Sequence, residues 1–135
     1  AIAHNGTFYG KIGEEGDSRK VSDTAVFLEL LAERWKERSL QGLGGTLREM
    51  LSDAERGGRY SAANLLIAAG ERLFALRRCR RDDGYYTLYV RRVGDTVVVA
   101  SQPLDGEPGW RLMENGELLE LSMPEPRSTL LQGLP

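Results

Sequence analysis

The sequence predicts an α+β domain, with helices laid on antiparallel β-sheet. Two stretches with apolar residues at helical spacing come first, between residues 22 and 57. A run of short segments rich in β-branched, aromatic and aliphatic residues follows from Tyr60. A third observation refines this. "NLLIA" and "TVVVAS" are apolar at consecutive positions, so both faces of those strands are expected to be covered. Two helices cover one face of one sheet. The expectation is therefore part of a larger layered fold.

Each element has its own signal. Residues 1–9 read as a strand ending in a turn at Asn5-Gly6, because both residue types tolerate positive φ. "GKIGEEGDSRK" is a polar, Gly-rich loop. In "VSDTAVFLELLAERWKER", Val26, Phe27, Leu30, Leu31 and Trp35 share one helical face, and Ser22 or Asp23 supplies the N-cap. "SLQGLGG" reads as a break. A second helix then places Leu43, Leu47, Met50, Leu51 and Ala54 on one side and stops at Gly57-Gly58. The strands "SAANLLIAAG", "ERLFALRRC", "GYYTLYVRR" and "DTVVVASQPL" are punctuated by Ala69-Gly70, Asp82-Asp83-Gly84 and Val93-Gly94-Asp95, as in an antiparallel meander. Arg72 and Arg77 read as solvated strand positions. "GWRLMENGELLELS" reads as a last hairpin turning at Asn115-Gly116, and the proline-rich tail from 123 to 135 as irregular.

Composition narrows the function classes. The chain has 135 residues, enough for one domain with an ordinary core. A net charge of -2 argues against nucleic acid and strongly anionic partners. No apolar run is long enough to cross a bilayer. The single cysteine, Cys79, excludes an internal disulfide, and with no visible signal peptide it points to a reducing, cytoplasmic setting. One histidine, His4, and no cysteine cluster leave no metal-ligand pattern, and no cofactor is expected.

A few residues stand out chemically. His4-Asn5-Gly6 is either a plain turn or a turn that aims donors at a substrate. A serine–histidine–acid arrangement of Ser22, His4 and Asp23 fails on geometry, because adjacent helical side chains diverge. Cys79 lies in "LRRCRRDD", where basic neighbours favour a thiolate, unless it is an incidental strand-end cysteine.

Taken in order, "AHNGT", "SDT", "NLLIAAGERLFALR" and "VVVASQPLDGEPGW" resemble class II glutamine amidotransferases, which are N-terminal-nucleophile hydrolases. The likeness runs from Ala3 to about Trp110. It is nearest to the stand-alone members whose relatives cleave γ-glutamyl amides. The resemblance implies a four-layer α/β/β/α sandwich of two antiparallel sheets, of which this chain is a part. It implies hydrolysis of glutamine, or of a γ-glutamyl compound, through a thioester on an N-terminal cysteine. The Asn5 side-chain amide and the Gly6 N–H would form the oxyanion hole. Asp23 would hold the substrate's α-amino group, with Ser22 and His4 beside it. His4 orients the turn or merely packs, and "ASQPL" lies at the rim or packs.

This sequence also departs from the family. Ala25 and Gln102 stand where the family often has Glu. The arginine that precedes the Asn-Gly motif and grips the substrate carboxylate is not in this chain. The nucleophile must carry a free α-amine to take its proton. Ala1 has only a methyl side chain, and the nitrogen of Cys79 lies in a peptide bond. The resemblance therefore implies a single partial domain over residues 1–135, with the nucleophile on an N-terminal segment outside them. A non-catalytic binding or interaction module of the same fold is the alternative.

Overall fold

The computed structural model describes residues 1–8, 22–57, 60–121 and 126–132. The loop expected over 10–20 and the stop at Gly58 lie outside the described residues. The elements are β1 (Ile2–Asn5), α1 (Asp23–Arg34), α2 (Leu40–Arg56), β2 (Asn64–Ala69), β3 (Arg72–Leu76), β4 (Tyr89–Val93), β5 (Thr96–Ala100), β6 (Arg111–Leu112), β7 (Glu117–Glu120) and β8 (Arg127–Leu130). The expected α+β class is observed, with two helices and two antiparallel sheets among the described residues.

Both helices begin at side-chain caps. Ser22 Oγ accepts from the Ala25 N–H at 3.2 Å, and Ser39 Oγ accepts from the Gly42 N–H at 2.9 Å. "SLQGLGG" is thus the first two turns of α2 rather than a break. At Gly42 the surroundings admit no side chain. A β-carbon on Gly42 would stand 2.2 Å from the Glu37 carbonyl oxygen. α1 ends earlier than its periodicity suggests, yet Trp35 stays buried, its ring edge-on to Phe74 with centroids 5.7 Å apart.

The larger sheet runs β1-β2-β3-β7-β8 and the smaller β5-β4-β6. The helices cover one face of the larger sheet. There Phe27, Leu31, Leu43, Leu47 and Leu51 pack on Leu65, Ile67, Phe74, Leu76 and Leu118. The other face meets the smaller sheet through Ala75 and Leu119 against Leu88, Val90 and Met113. Among the described residues this makes three layers, α/β/β. Leu66 and Leu73 stay 40% and 50% exposed on the inter-sheet side, so the cover expected for "NLLIA" is incomplete there.

Two expectations fail for physical reasons. Asn115-Gly116 does not close a hairpin, because β6 pairs with β4 while β7 pairs with β3. The turn instead carries the chain from one sheet to the other. Asn115 Oδ1 accepts from the Cys79 N–H at 3.0 Å and its Nδ2 donates to the Cys79 carbonyl at 2.9 Å. The Gly116 N–H donates to the Arg77 carbonyl at 2.7 Å. The tail is not irregular throughout. β8 pairs with β7 from Glu117↔Leu130 to Glu120↔Arg127, placing proline-free "RSTL" on the sheet edge.

Arg77 is not a solvated strand position either. It is 2% exposed and donates to the carbonyls of Tyr86, Met113 and Asp83 and to the Asp83 carboxylate. Arg72 is half-buried. Its Nε donates to Glu120 Oε1 at 2.8 Å, and another nitrogen donates to the Arg38 carbonyl between the two helices.

Candidate active site

β1 carries the motif, and strand alternation splits it between two faces. Ile2 and His4 face the helices, while Ala3 and Asn5 face the smaller sheet. β1 lies beside β2 in the register Ile2↔Ile67 to Asn5↔Asn64, which fixes where the turn emerges.

His4 is fully engaged. Its Nε2 lies 3.0 Å from the Ala62 carbonyl oxygen and its Nδ1 lies 3.2 Å from Thr24 Oγ1. A carbonyl only accepts, so Nε2 carries a proton and donates. The ring also stacks on Phe8, with centroids 4.7 Å apart. His4 therefore ties the turn to α1 and to the segment before β2.

Asp23 makes the second tie. Its Oδ2 accepts from the Phe8 N–H at 3.1 Å and its Oδ1 accepts from the Thr24 N–H at 2.8 Å. Acidic charge in a first turn suits the helix dipole. A carboxylate offers about four lone-pair sites, so acceptor capacity remains. Ser22 caps α1 and is exposed. His4, Ser22 and Asp23 thus converge where α1 begins and the turn leaves β1.

Gly6 lies deeper than a turn requires. Its φ is +145°, and a β-carbon there would stand 2.0 Å from the Ala62 carbonyl oxygen and 2.8 Å from His4 Nε2. The glycine is demanded by packing on Ala62, a reason independent of any substrate.

The next residues are held just as firmly. The Thr7 N–H donates to Ser61 Oγ at 3.1 Å, and the Ser61 N–H donates to the Thr7 carbonyl at 2.9 Å. Against this background two donors stand out. Among the described residues, neither the Asn5 side-chain amide nor the Gly6 N–H makes a hydrogen bond.

Asn5 also lines a pocket of about 260 Å³ with Ala3, Asn64, Leu88, Val99 and Ser101. Asn64 is itself committed. Its Oδ1 accepts from the Arg78 N–H and its Nδ2 donates to the Thr87 carbonyl. Gly6 is not part of that lining.

Thr24, Ser61 and Ser101 were not singled out from the sequence. Thr24 stood inside the "SDT" motif. Ser61 and Ser101 are brought in by pairings 54 and 14 residues long, which no local pattern reveals. The "ASQPLDGEPGW" loop folds about Asp105, whose Oδ1 accepts from Arg91, the Glu107 N–H and Trp110 Nε1. Ser101 places the start of this loop on the pocket wall, while Gln102 is exposed.

Cys79 is no thiolate. Burial, followed by donation of its thiol to Asp83 Oδ1 at 3.2 Å, pushes it up to about 11, against the smaller downward pull of Arg77 and Arg78. The activation suggested by its basic neighbours is overturned. Among the described residues no group of histidine, cysteine and acidic side chains could hold a metal ion. No described helix is long and apolar enough to cross a membrane.

No family model matches this sequence, and no curated protein does. Solved structures do. The chain is similar to the glutamine aminotransferase class-II domain protein of Silicibacter pomeroyi, at 18% identity and a TM-score of 0.70. It is similar to the glutamine phosphoribosylpyrophosphate amidotransferase of B. subtilis, at 21% identity and 0.64 over 98% of this chain. It is also similar to a glutamine amidotransferase, so described by prediction, from Pseudomonas aeruginosa, at 20% identity and 0.58, with 93% of this chain and 58% of that one covered. The match takes in 96% of this chain but 66% of the Silicibacter protein and 29% of the Bacillus one. Sequence identity this low conveys architecture, and the architecture is that of the class II glutamine amidotransferase domain.

Proposed function

We propose that this chain is the oxyanion-hole and substrate-holding part of a class II glutamine amidotransferase. It would act on glutamine or a γ-glutamyl compound, with the nucleophilic cysteine on an N-terminal segment outside residues 1–135. The observation that carries this is the pair of uncommitted donors at Asn5 and Gly6, in a turn where the neighbouring polar groups are used. Fixed donors left unpaired by the fold suit an oxygen that becomes negative only during reaction.

In this reading the cysteine thiolate attacks the side-chain amide carbon, and its α-amine takes the thiol proton. The carbonyl oxygen becomes an oxyanion held by Asn5 Nδ2 and the Gly6 N–H. The carbon–nitrogen bond then breaks, ammonia leaves with that proton, and a thioester remains. Water hydrolyses it to glutamate. Asp23 uses its remaining acceptor capacity for the substrate ammonium. Ser22 and His4 position it, the first by capping α1 and the second through Thr24.

The experiment is ammonia release from glutamine by the complete gene product. Asn5→Ala is expected to lower kcat by about 10²–10³, and Asp23→Ala to raise KM. Absence of ammonia release would sink the catalytic reading. It would leave the non-catalytic binding or interaction module of the same fold.

A further inference from the structure

The first three strands of the larger sheet run on past their regular ladders as isolated bridges, Phe8↔Tyr60 and Ala62↔Cys79. Toward β3 the register is kept, since Ala62↔Cys79 continues Leu65↔Leu76. Toward β1 it is not. From Asn5 to Phe8 the chain advances three residues, while the facing stretch from Asn64 back to Tyr60 takes four. One extra residue is therefore held opposite the turn, and residues 61–63 form a β-bulge facing Gly6 and Thr7.

The bulge redistributes the hydrogen bonds around it. Ala1 and Ala68 exchange two backbone bonds of 2.9 Å, so alternation turns the backbone groups of Ala3, Asn5 and Thr7 toward β2. Unbroken register would set Thr7 opposite Ala62 and give the Thr7 N–H the Ala62 carbonyl. With the bulge, that carbonyl accepts from His4 Nε2 at 3.0 Å instead. The Thr7 N–H donates to a side chain in its place, Ser61 Oγ at 3.1 Å. Ser61 Oγ is fixed in turn by the Tyr86 hydroxyl, which donates to it at 3.2 Å. The Ser61 backbone is bonded on both sides. Its N–H donates to the Thr7 carbonyl at 2.9 Å, and its carbonyl accepts from the Arg80 N–H at 3.1 Å. Tyr86 is anchored through its own backbone. Its N–H donates to the Asp82 carbonyl at 3.0 Å, and its carbonyl accepts from Nε of the buried Arg77 at 3.1 Å.

We infer that Ser61, carried on this bulge, and Tyr86 behind it are positioning residues for the oxyanion turn. The inference rests on the function proposed above and adds which residues aim its donors. The Gly6 N–H must stay unpaired to serve an oxyanion, so no bond of its own can fix its direction. Glycine has no side chain to restrict rotation, and Gly6 sits at φ +145°. Its aim is set by the peptide units on either side. The β1–β2 ladder holds the one before, at Asn5↔Asn64. Ser61 Oγ holds the one after, through the Thr7 N–H. Tyr86 keeps the Ser61 side chain in the rotamer that points its oxygen at that N–H. Both residues therefore act through Thr7.

The test is steady-state ammonia release from glutamine by the complete gene product, with amide hydrogen exchange on the same samples. Tyr86→Phe and Ser61→Ala are each expected to lower kcat about tenfold. KM should stay within about twofold of the parent, because Asp23 keeps its bonds to Phe8 and Thr24. The double variant should be no slower than Ser61→Ala alone, since Tyr86 acts through Ser61. Ser61→Thr keeps the hydroxyl and should retain the parent's kcat. In Tyr86→Phe and Ser61→Ala the Thr7 amide should exchange about tenfold faster, at the parent's melting temperature. The parent's kcat in both single variants, additive losses in the double variant, or a Ser61→Thr as slow as Ser61→Ala would each overturn the inference. A parent that releases no ammonia would sink the hydrolase reading, and the Thr7 amide then decides. Faster exchange in both single variants would uphold the clamp on the turn, and unchanged exchange would overturn it.

Discussion

Gly6 and Ala62 are in backbone contact, so close that a β-carbon on Gly6 would stand 2.0 Å from the Ala62 carbonyl oxygen. The same oxygen accepts from His4 Nε2 at 3.0 Å. The turn cannot shift away without breaking that bond. Gly6→Ala, strained at φ +145° as well, is therefore expected to destabilise the chain by about 2–4 kcal/mol. Gly45 is the control, because it lies inside α2 with nothing within 4 Å of a built β-carbon. Gly45→Ala should stabilise by about 1 kcal/mol. Urea unfolding of the two variants measures both signs.

Arg77 is a buried cation that holds three carbonyls and the Asp83 carboxylate. Arg77→Met keeps the volume and removes the donors. Loss of about 3 kcal/mol or more is expected, since buried acceptors lose their partner. Asp83→Asn leaves the carbonyl contacts in place and should cost about 1 kcal/mol or less, because Asp83 is mostly exposed.

Cys79 should be nearly inert to alkylation. With its thiol pushed up to about 11, roughly one molecule in a thousand is thiolate at pH 8. Its rate with iodoacetamide should rise about tenfold per pH unit above that, and urea should restore ordinary reactivity. Fast labelling of the folded chain at pH 8 would show the thiol is not as buried as described.

Glu120 gives the chain an acid-sensitive component. Its hydrogen bond from Arg72 holds the carboxyl below the ordinary carboxylate range, overcoming a burial that acts upward. Arg127 adds a second pair at 2.7 Å. A group whose folded pKa is lowered contributes stability above its unfolded value and loses it as pH falls through the folded one. Glu120→Gln should thus melt well below the parent at pH 7, and the gap should close below about pH 4. A gap independent of pH would contradict this.

Local signals were legible, and long-range ones were not. The N-caps, the first turn and the helical faces follow from residues a few positions apart. Asn5-Gly6 and Asn115-Gly116 show the limit. The two dipeptides are identical, yet the first lets its donors go unpaired and the second is consumed joining two sheets. That difference is decided by Cys79 and Arg77, some 36 residues from Asn115. Arg77 looked solvated because an arginine in a strand usually is, and its acceptors come from residues 83, 86 and 113. The edge strand β8 was hidden by the prolines on its N-terminal side. At the site, the donors were readable, whereas the reason for Gly6 was the Ala62 carbonyl, more than fifty positions away.

The contrast between the two Asn-Gly pairs also sets how the molecule ages. Deamidation begins when the nitrogen of the glycine attacks the asparagine side-chain carbon and closes a succinimide ring. At Asn115 both side-chain atoms and the Gly116 N–H are tied, so that ring cannot close. At Asn5 neither the side-chain amide nor the Gly6 N–H is tied by a hydrogen bond among the described residues. Stored protein will gather isoaspartate at position 5 first, keeping its fold while the Asn5 side-chain amide gives way to a carboxylate.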